Sequence, residues 1–168
     1  MGVVGEMRIL KRILANVNTF TEYLVSALLV LMVVVVFLQV IFRFVLHASL
    51  PWSEELSRYI LVWLSFLGAA IGVRKGAHIG VEVVVSLFPK TLKVAATLFV
   101  HAVSMVFFSL LIFYGWRILG VVGRQLSPAM EWSMAIPYSA ICVGGALMFA
   151  YALEHAVDVA TGNERSRS

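Results

Sequence analysis

One cysteine, Cys142, stands in the whole sequence, which excludes an internal disulfide and any cysteine-rich metal site. Charge is scarce as well. Lys, Arg, Asp and Glu make up 13% of the 168 residues against 61% hydrophobic, where soluble domains carry about 25% charged and about 45–50% apolar residues. Such a chain is neither a water-soluble globular domain, a disordered tail nor a disulfide-stapled scaffold. It also lacks a Gly-rich phosphate loop, a GxSxG elbow, an HExxH pair and a Cys-x-x-Cys. No enzyme chemistry, catalytic residue, cofactor or metal is therefore predicted. The net charge of +4 predicts no nucleic-acid partner, because excess Lys and Arg in a membrane protein sets topology.

What is present is hydrocarbon. At about 20 apolar residues per bilayer crossing, the chain reads as an all-α integral membrane protein, one domain over 1–168 with four transmembrane helices. Uncharged runs extend from Tyr23 to Phe42, Tyr59 to Val73, Val94 to Trp116 and Trp132 to Leu153. They place the spans at about 21–45, 53–74, 92–117 and 132–156. The first run, preceded by Arg8, Lys11 and Arg12, exceeds the roughly 7–15 apolar residues of a secretory signal core and reads as a retained span. With the N-terminus inside, Arg8, Lys11, Arg12, Arg74, Lys75, Lys90, Lys93, Arg165 and Arg167 are cytoplasmic, and only Arg43, Arg58, Arg117 and Arg124 lie opposite. That asymmetry predicts both termini in the cytoplasm.

The segments between spans carry the polar residues. From Ser49 to Arg58 the chain reads as a helix start: Pro51 sets φ in the first turn, and Glu54 and Glu55 bring negative charge to the positive helix end. Glu54 and Arg58 stand at i,i+4 as a candidate ion pair. This acidic corner reads as a capped helix start and as a contact for a partner or a lipid headgroup, two roles that are compatible. Gly68, Gly72, Gly76 and Gly80 recur every fourth residue, a small-residue ridge that permits close helix approach in lipid; Ala140, Gly144, Gly145 and Ala146 form a shorter analogue. Arg74, His78, Glu82, Ser86 and Lys90 form a polar stripe, which predicts a short amphipathic interfacial helix over about 76–88, stopped by Pro89. Arg117 to Glu131 reads as a turn-rich connection, and residues 161–168 as a disordered tail.

Ionisable residues deep in a span are functional suspects; the deep core is nearly empty of them, and His101 is the best candidate. It reads as a neutral imidazole bonded across the bundle, while His78, His101 and His155 together leave open a haem-b anchor of a redox complex. An autonomous oligomeric carrier is the other alternative. It needs a mid-membrane carboxylate, and the spans offer none.

The block Pro51-Trp52-Ser53-Glu54-Glu55-Leu56-Ser57-Arg58, then Trp63, Phe66-Leu67-Gly68-Ala69-Ala70, and Arg74, Lys75, Gly76, His78, Ile79, Gly80, Val81 and Glu82 resembles the small membrane subunit of tripartite ATP-independent periplasmic (TRAP) transporters. Trp132-Ser133-Met134-Ala135-Ile136-Pro137 resembles that family's start of the fourth helix. Glu82 replaces a common aspartate and keeps its charge. The resemblance implies a non-catalytic, multi-pass subunit of a bacterial or archaeal cytoplasmic (inner) membrane. Its partners would be a large multi-span permease subunit working as a sodium-coupled elevator, a periplasmic substrate-binding protein delivering an organic anion (a carboxylate), and membrane lipids. The small subunit would be scaffold. Its contact residues would be Trp52, Glu54, Glu55, Arg58, Trp63, Gly68, Gly72, Arg74, His78 and Glu82.

Overall fold

The structure, a computed structural model, describes residues 2–76 and 90–160. Among them are four helices: α1 (Gly2–Phe44), α2 (Pro51–Arg74), α3 (Lys90–Val122) and α4 (Ala135–Ala160). All four are long and apolar enough to cross a membrane. The expected interfacial helix at about 76–88 and the tail at 161–168 lie outside the described residues.

The helix boundaries follow from local chemistry. After α1, His47 takes a left-handed conformation with φ 53°, and α2 begins at Pro51, whose missing N–H costs nothing in a first turn. Ser53 seals that turn by donating its hydroxyl to the Leu50 carbonyl at 2.7 Å. At the far end of α2, the Lys75 N–H meets the Ile71 carbonyl at 3.0 Å, the Gly76 N–H meets the Val73 carbonyl at 3.2 Å, and Gly76 turns the chain with φ 75°. α3 continues to Val122, past the expected span end near 117, because nothing before Gly123 interrupts an apolar helix. α4 starts at Ala135 rather than 132: Trp132 and Ser133 are taken up by the loop, and the Ser133 hydroxyl caps the Ala135 N–H at 3.2 Å.

α4 packs against both α3 and α2, and α1 packs along α2. Close approach is set by glycines on α3 and α4. A Cβ at Gly144 would lie 2.7 Å from the Phe66 Cβ, one at Gly145 would lie 3.1 Å from Ile112, and one at Gly115 would lie 3.0 Å from the Cys142 sulfur. The core around Ala70, Phe108, Met148, Tyr151 and Ala152 forms where these helices meet. The α2 ridge behaves differently: a Cβ at Gly68 would meet nothing within 4 Å. Within the chain, the shorter small-residue row does the packing and Gly68 looks outward.

α1 is longer than a crossing needs. Its apolar stretch Lys11–Phe44 has 34 residues, about 51 Å at 1.5 Å per residue against about 30 Å of hydrocarbon. The surplus is spent at the end where α2 stops: Glu22 is level with Lys75, and Lys11 reaches Asp158 of α4.

Candidate functional site

Polar side chains gather at the two ends of the bundle and leave the middle to apolar packing. At one end, the segment Gly123–Met134 folds into a compact turn. The Ser127 N–H bonds the Trp132 carbonyl at 2.8 Å and the Met134 N–H bonds the Gln125 carbonyl at 2.9 Å, with a single antiparallel bridge between Leu126 and Ser133. The Ser133 hydroxyl ties the turn to the Gly123 carbonyl at 2.8 Å. Glu131, with φ 55°, supplies the left-handed residue that the reversal requires.

This turn closes over Glu55. One carboxylate oxygen accepts the Ala129 and Met130 N–H groups at 2.9 and 3.2 Å, and the other accepts the Tyr59 hydroxyl. Glu55 is 2% exposed, so it is an internal clamp that fastens the α3–α4 loop to the start of α2. A buried carboxylate persists where donors surround it, and bonds to an ionised acceptor are the strong ones.

Its neighbour faces elsewhere. Glu54 is exposed and accepts from the Gln39 side chain of α1 at 3.2 Å. The expected Glu54–Arg58 ion pair is corrected by this geometry: Glu54 turns across to α1, and Arg58 makes no ion pair among the described residues. Trp63 lies one turn deeper and donates its indole N–H to the Ile136 carbonyl at 3.2 Å. That carbonyl also accepts the Ser139 hydroxyl. Trp52 lies at the rim, 41% exposed. Beneath the turn, between α2 and α4, lies a half-open cavity of about 590 Å³ with Arg58 at its polar end and Val62, Phe66 and Ile141 on its apolar wall.

At the other end the fastening is ionic. Arg74 donates to Glu154 at 3.4 Å and holds its guanidinium 5.0 Å from the Tyr151 ring centroid. Lys75 pairs with Glu22 at 2.9 Å, Glu22 accepts from Asn18 at 3.1 Å, and Lys11 pairs with Asp158. Together these contacts join α1, α2 and α4. Glu154 and Asp158 are buried at 7% and 8% exposure, which a membrane bundle tolerates where each has a cation facing it.

The His101 and His155 rings lie parallel, centroids 6.0 Å apart and planes within 1°, and His155 Nε2 meets the Arg74 carbonyl at 3.1 Å. No group of three or more His, Cys, Asp or Glu is placed to hold a metal among the described residues.

The structure thus brings Glu55, Trp63 and Arg74 into helix-joining contacts and leaves Trp52, Glu54, Arg58 and Gly68 open outward. Gly72 is half-buried. His78 and Glu82 lie outside the described residues. The sequence reading passed over Glu154, Asp158 and Lys11 as partners. The one signal was that Glu154 and Asp158 stand four apart on one helix face, as Lys11 awaits a counter-charge.

Residues 32–162 match the family described as "Tripartite ATP-independent periplasmic transporters, DctQ component". A Haemophilus influenzae protein named "Putative TRAP transporter small permease protein" is 37% identical over 73 residues, 44% of this chain and 45% of its own length. The H. influenzae "Sialic acid TRAP transporter permease protein SiaT" is 30% identical over 101 residues, 60% of this chain but 16% of that protein. The Vibrio cholerae "C4-dicarboxylate TRAP transporter small permease protein DctQ" is 27% identical over 100 residues, 60% of this chain and 43% of its own length. The chain spans less than half the length of each of these relatives.

Proposed function

Since the chain belongs to the DctQ component family of the tripartite ATP-independent periplasmic transporters, we propose that it scaffolds a large permease subunit that carries the transport site. The chain itself is a non-catalytic transporter subunit and a multi-pass protein of the inner membrane. In this reading the large subunit moves as a sodium-coupled elevator. A periplasmic binding protein docks on the face that includes Trp52, Glu54 and Arg58, and the cargo is an organic anion. Both termini lie in the cytoplasm, so the loop clamped by Glu55 faces the periplasm.

The observation that carries the reading is where the charges sit. Between Tyr59 and Val73 α2 has no Asp, Glu, Lys or Arg, and the runs beside it are equally bare, so the bundle's middle offers no carboxylate or cationic side chain of the kind a carrier uses to grip and release a charged cargo. Two of the relatives support the cargo class and the larger partner. One is named for sialic acid and one for C4-dicarboxylates, both carboxylates. In the first, the matching segment is a small part of a longer permease protein, as expected of a module that works joined to a larger one.

The test is reconstitution. Liposomes containing this chain alone should accumulate no carboxylate under a sodium gradient, and adding the large permease subunit and the binding protein should establish uptake. Uptake by the lone chain, or undiminished uptake by the large subunit without it, refutes the proposal.

A further inference from the structure

We propose that the cavity beneath the 123–134 turn holds one acyl chain of a membrane glycerophospholipid whose phosphodiester pairs with Arg58. The cavity of about 590 Å³ lies between Arg58, Val62 and Phe66 of α2 and Tyr138 and Ile141 of α4. Its volume falls in the range of ligand sites, about 300–1,000 Å³. Its polarity is graded. The ionisable groups stand at the end nearest the turn, and Val62, Phe66 and Ile141 line the deeper part.

The two charges at that end differ in what they have left to give. The Glu55 carboxylate is already spent on the Ala129 and Met130 N–H groups and the Tyr59 hydroxyl. Arg58 is exposed and makes no ion pair among the described residues. Glu55 keeps its charge but has its oxygens engaged, so the group at the mouth with donors left for an anion is the Arg58 guanidinium, whose fork matches a phosphate's oxygens.

Depth also fits a lipid. Eight residues separate Arg58 from Phe66, about 12 Å along the helix, close to the roughly 15 Å that one leaflet contributes to the hydrocarbon core. A headgroup held at Arg58 thus lays its chain along Val62 and Phe66 at the level where lipid chains already run. A water-filled apolar cavity at that depth would be costly, and a chain entering from the side removes the cost. None of this depends on which side of the membrane the loop faces, nor on the transport reading above.

The full chain, purified in detergent and stripped of lipid, would be titrated with dioleoylphosphatidylglycerol and followed by native mass spectrometry. One tightly held phospholipid is expected. Dioleoylglycerol, which lacks the phosphate, should bind at least about tenfold more weakly, equivalent to about 1.4 kcal/mol at 25 °C. Arg58→Gln should lose retention by a similar factor, and Val62→Trp, which fills the cavity, should lose it too. A phosphatidylglycerol with a diazirine in its acyl chain, bound to the unmutated chain, should label peptides containing Val62–Phe66 and Tyr138–Ile141, so the result does not hang on the variants folding. Labelling elsewhere, or retention unchanged in both variants, overturns the proposal. So does a photo-crosslinker at Val62 that, in membranes holding the large permease subunit, captures that protein and no lipid.

Discussion

Gly144 and Gly68 are both helix-interior glycines, and substituting alanine at each should move stability in opposite directions. At Gly144 a Cβ would sit 2.7 Å from the Phe66 Cβ, 3.1 Å from its carbonyl oxygen and 3.2 Å from its carbonyl carbon. Two of those three atoms are backbone, so no rotamer change relieves the clash, and α2 and α4 must separate. Overpacking of this kind costs about 1–3 kcal/mol, against a gain of up to about 1 kcal/mol from replacing glycine in a helix. Gly144→Ala should therefore destabilise the chain by up to about 2 kcal/mol. At Gly68 the new methyl meets nothing within 4 Å, so only the propensity gain remains and Gly68→Ala should stabilise by up to about 1 kcal/mol. The assay is an unfolding titration of the lone chain in mixed micelles, followed by tryptophan fluorescence. Gly68→Leu adds the second half of the test: it should leave the lone chain folded yet block co-purification with the large permease subunit. A Gly68→Ala chain less stable than Gly144→Ala would refute the packing, and normal assembly of Gly68→Leu would refute the outward role of the ridge.

Glu55→Gln should loosen the 123–134 turn, read as faster protease cleavage there and a lower melting midpoint, whereas Glu54→Gln should leave both nearly unchanged; equal effects would contradict the clamp. Glu154→Ala leaves Arg74 in the bundle without its carboxylate and should cost about 3–5 kcal/mol, while the double change Arg74→Met with Glu154→Leu should recover most of that. A double variant no more stable than the single one would show that the ion pair is not what the site depends on. Trp63→Phe removes one hydrogen bond to the Ile136 carbonyl and should cost about 1 kcal/mol in the same titration. No measurable loss would mean that the indole N–H contributes nothing there.

The four helices were legible because the hydrophobic runs are long, and the start of α2 because Pro51 and Ser53 act within one turn. What was not legible depends on rotation about a helix axis and on distant segments. Glu54 and Glu55 are adjacent, and at 3.6 residues per turn they point about 100° apart. Only the return of the chain 74 residues later decides that Glu55 is enclosed. The same limit applies to the glycine rows. A row every fourth residue states that one face is smooth but not which face meets a helix of the same chain, so Gly68 and Gly144 read alike in sequence and differ in structure. Glu154 and Lys11 escaped for a third reason. Each lies at the edge of an apolar run, where a charge is ordinarily solvated; the overlong α1 brings Lys11 to Asp158, and the α2–α4 packing brings Arg74 to Glu154.

Taken together, the two ends constrain how the bundle can move. α2 and α4 are joined at one end by Glu55 through the loop and by Trp63 to Ile136, at the other by Arg74 to Glu154, and between them by backbone contact at Gly144. Sliding α4 along α2 by even one helical turn, about 5.4 Å, would break all of these at once and strand a buried carboxylate at each end. Apolar packing alone could re-form in a new register, because lipid tails and side chains are equally apolar; the polar fasteners cannot. The α2–α4 pair is therefore a fixed strut. α1 is tied to it through Gln39 near its C-terminal end, Glu22 at its midpoint and Lys11 in its N-terminal part. A subunit with no Asp, Glu, Lys or Arg in the middle of its spans and its α2–α4 pair locked at both ends suits a stationary scaffold against which another protein moves.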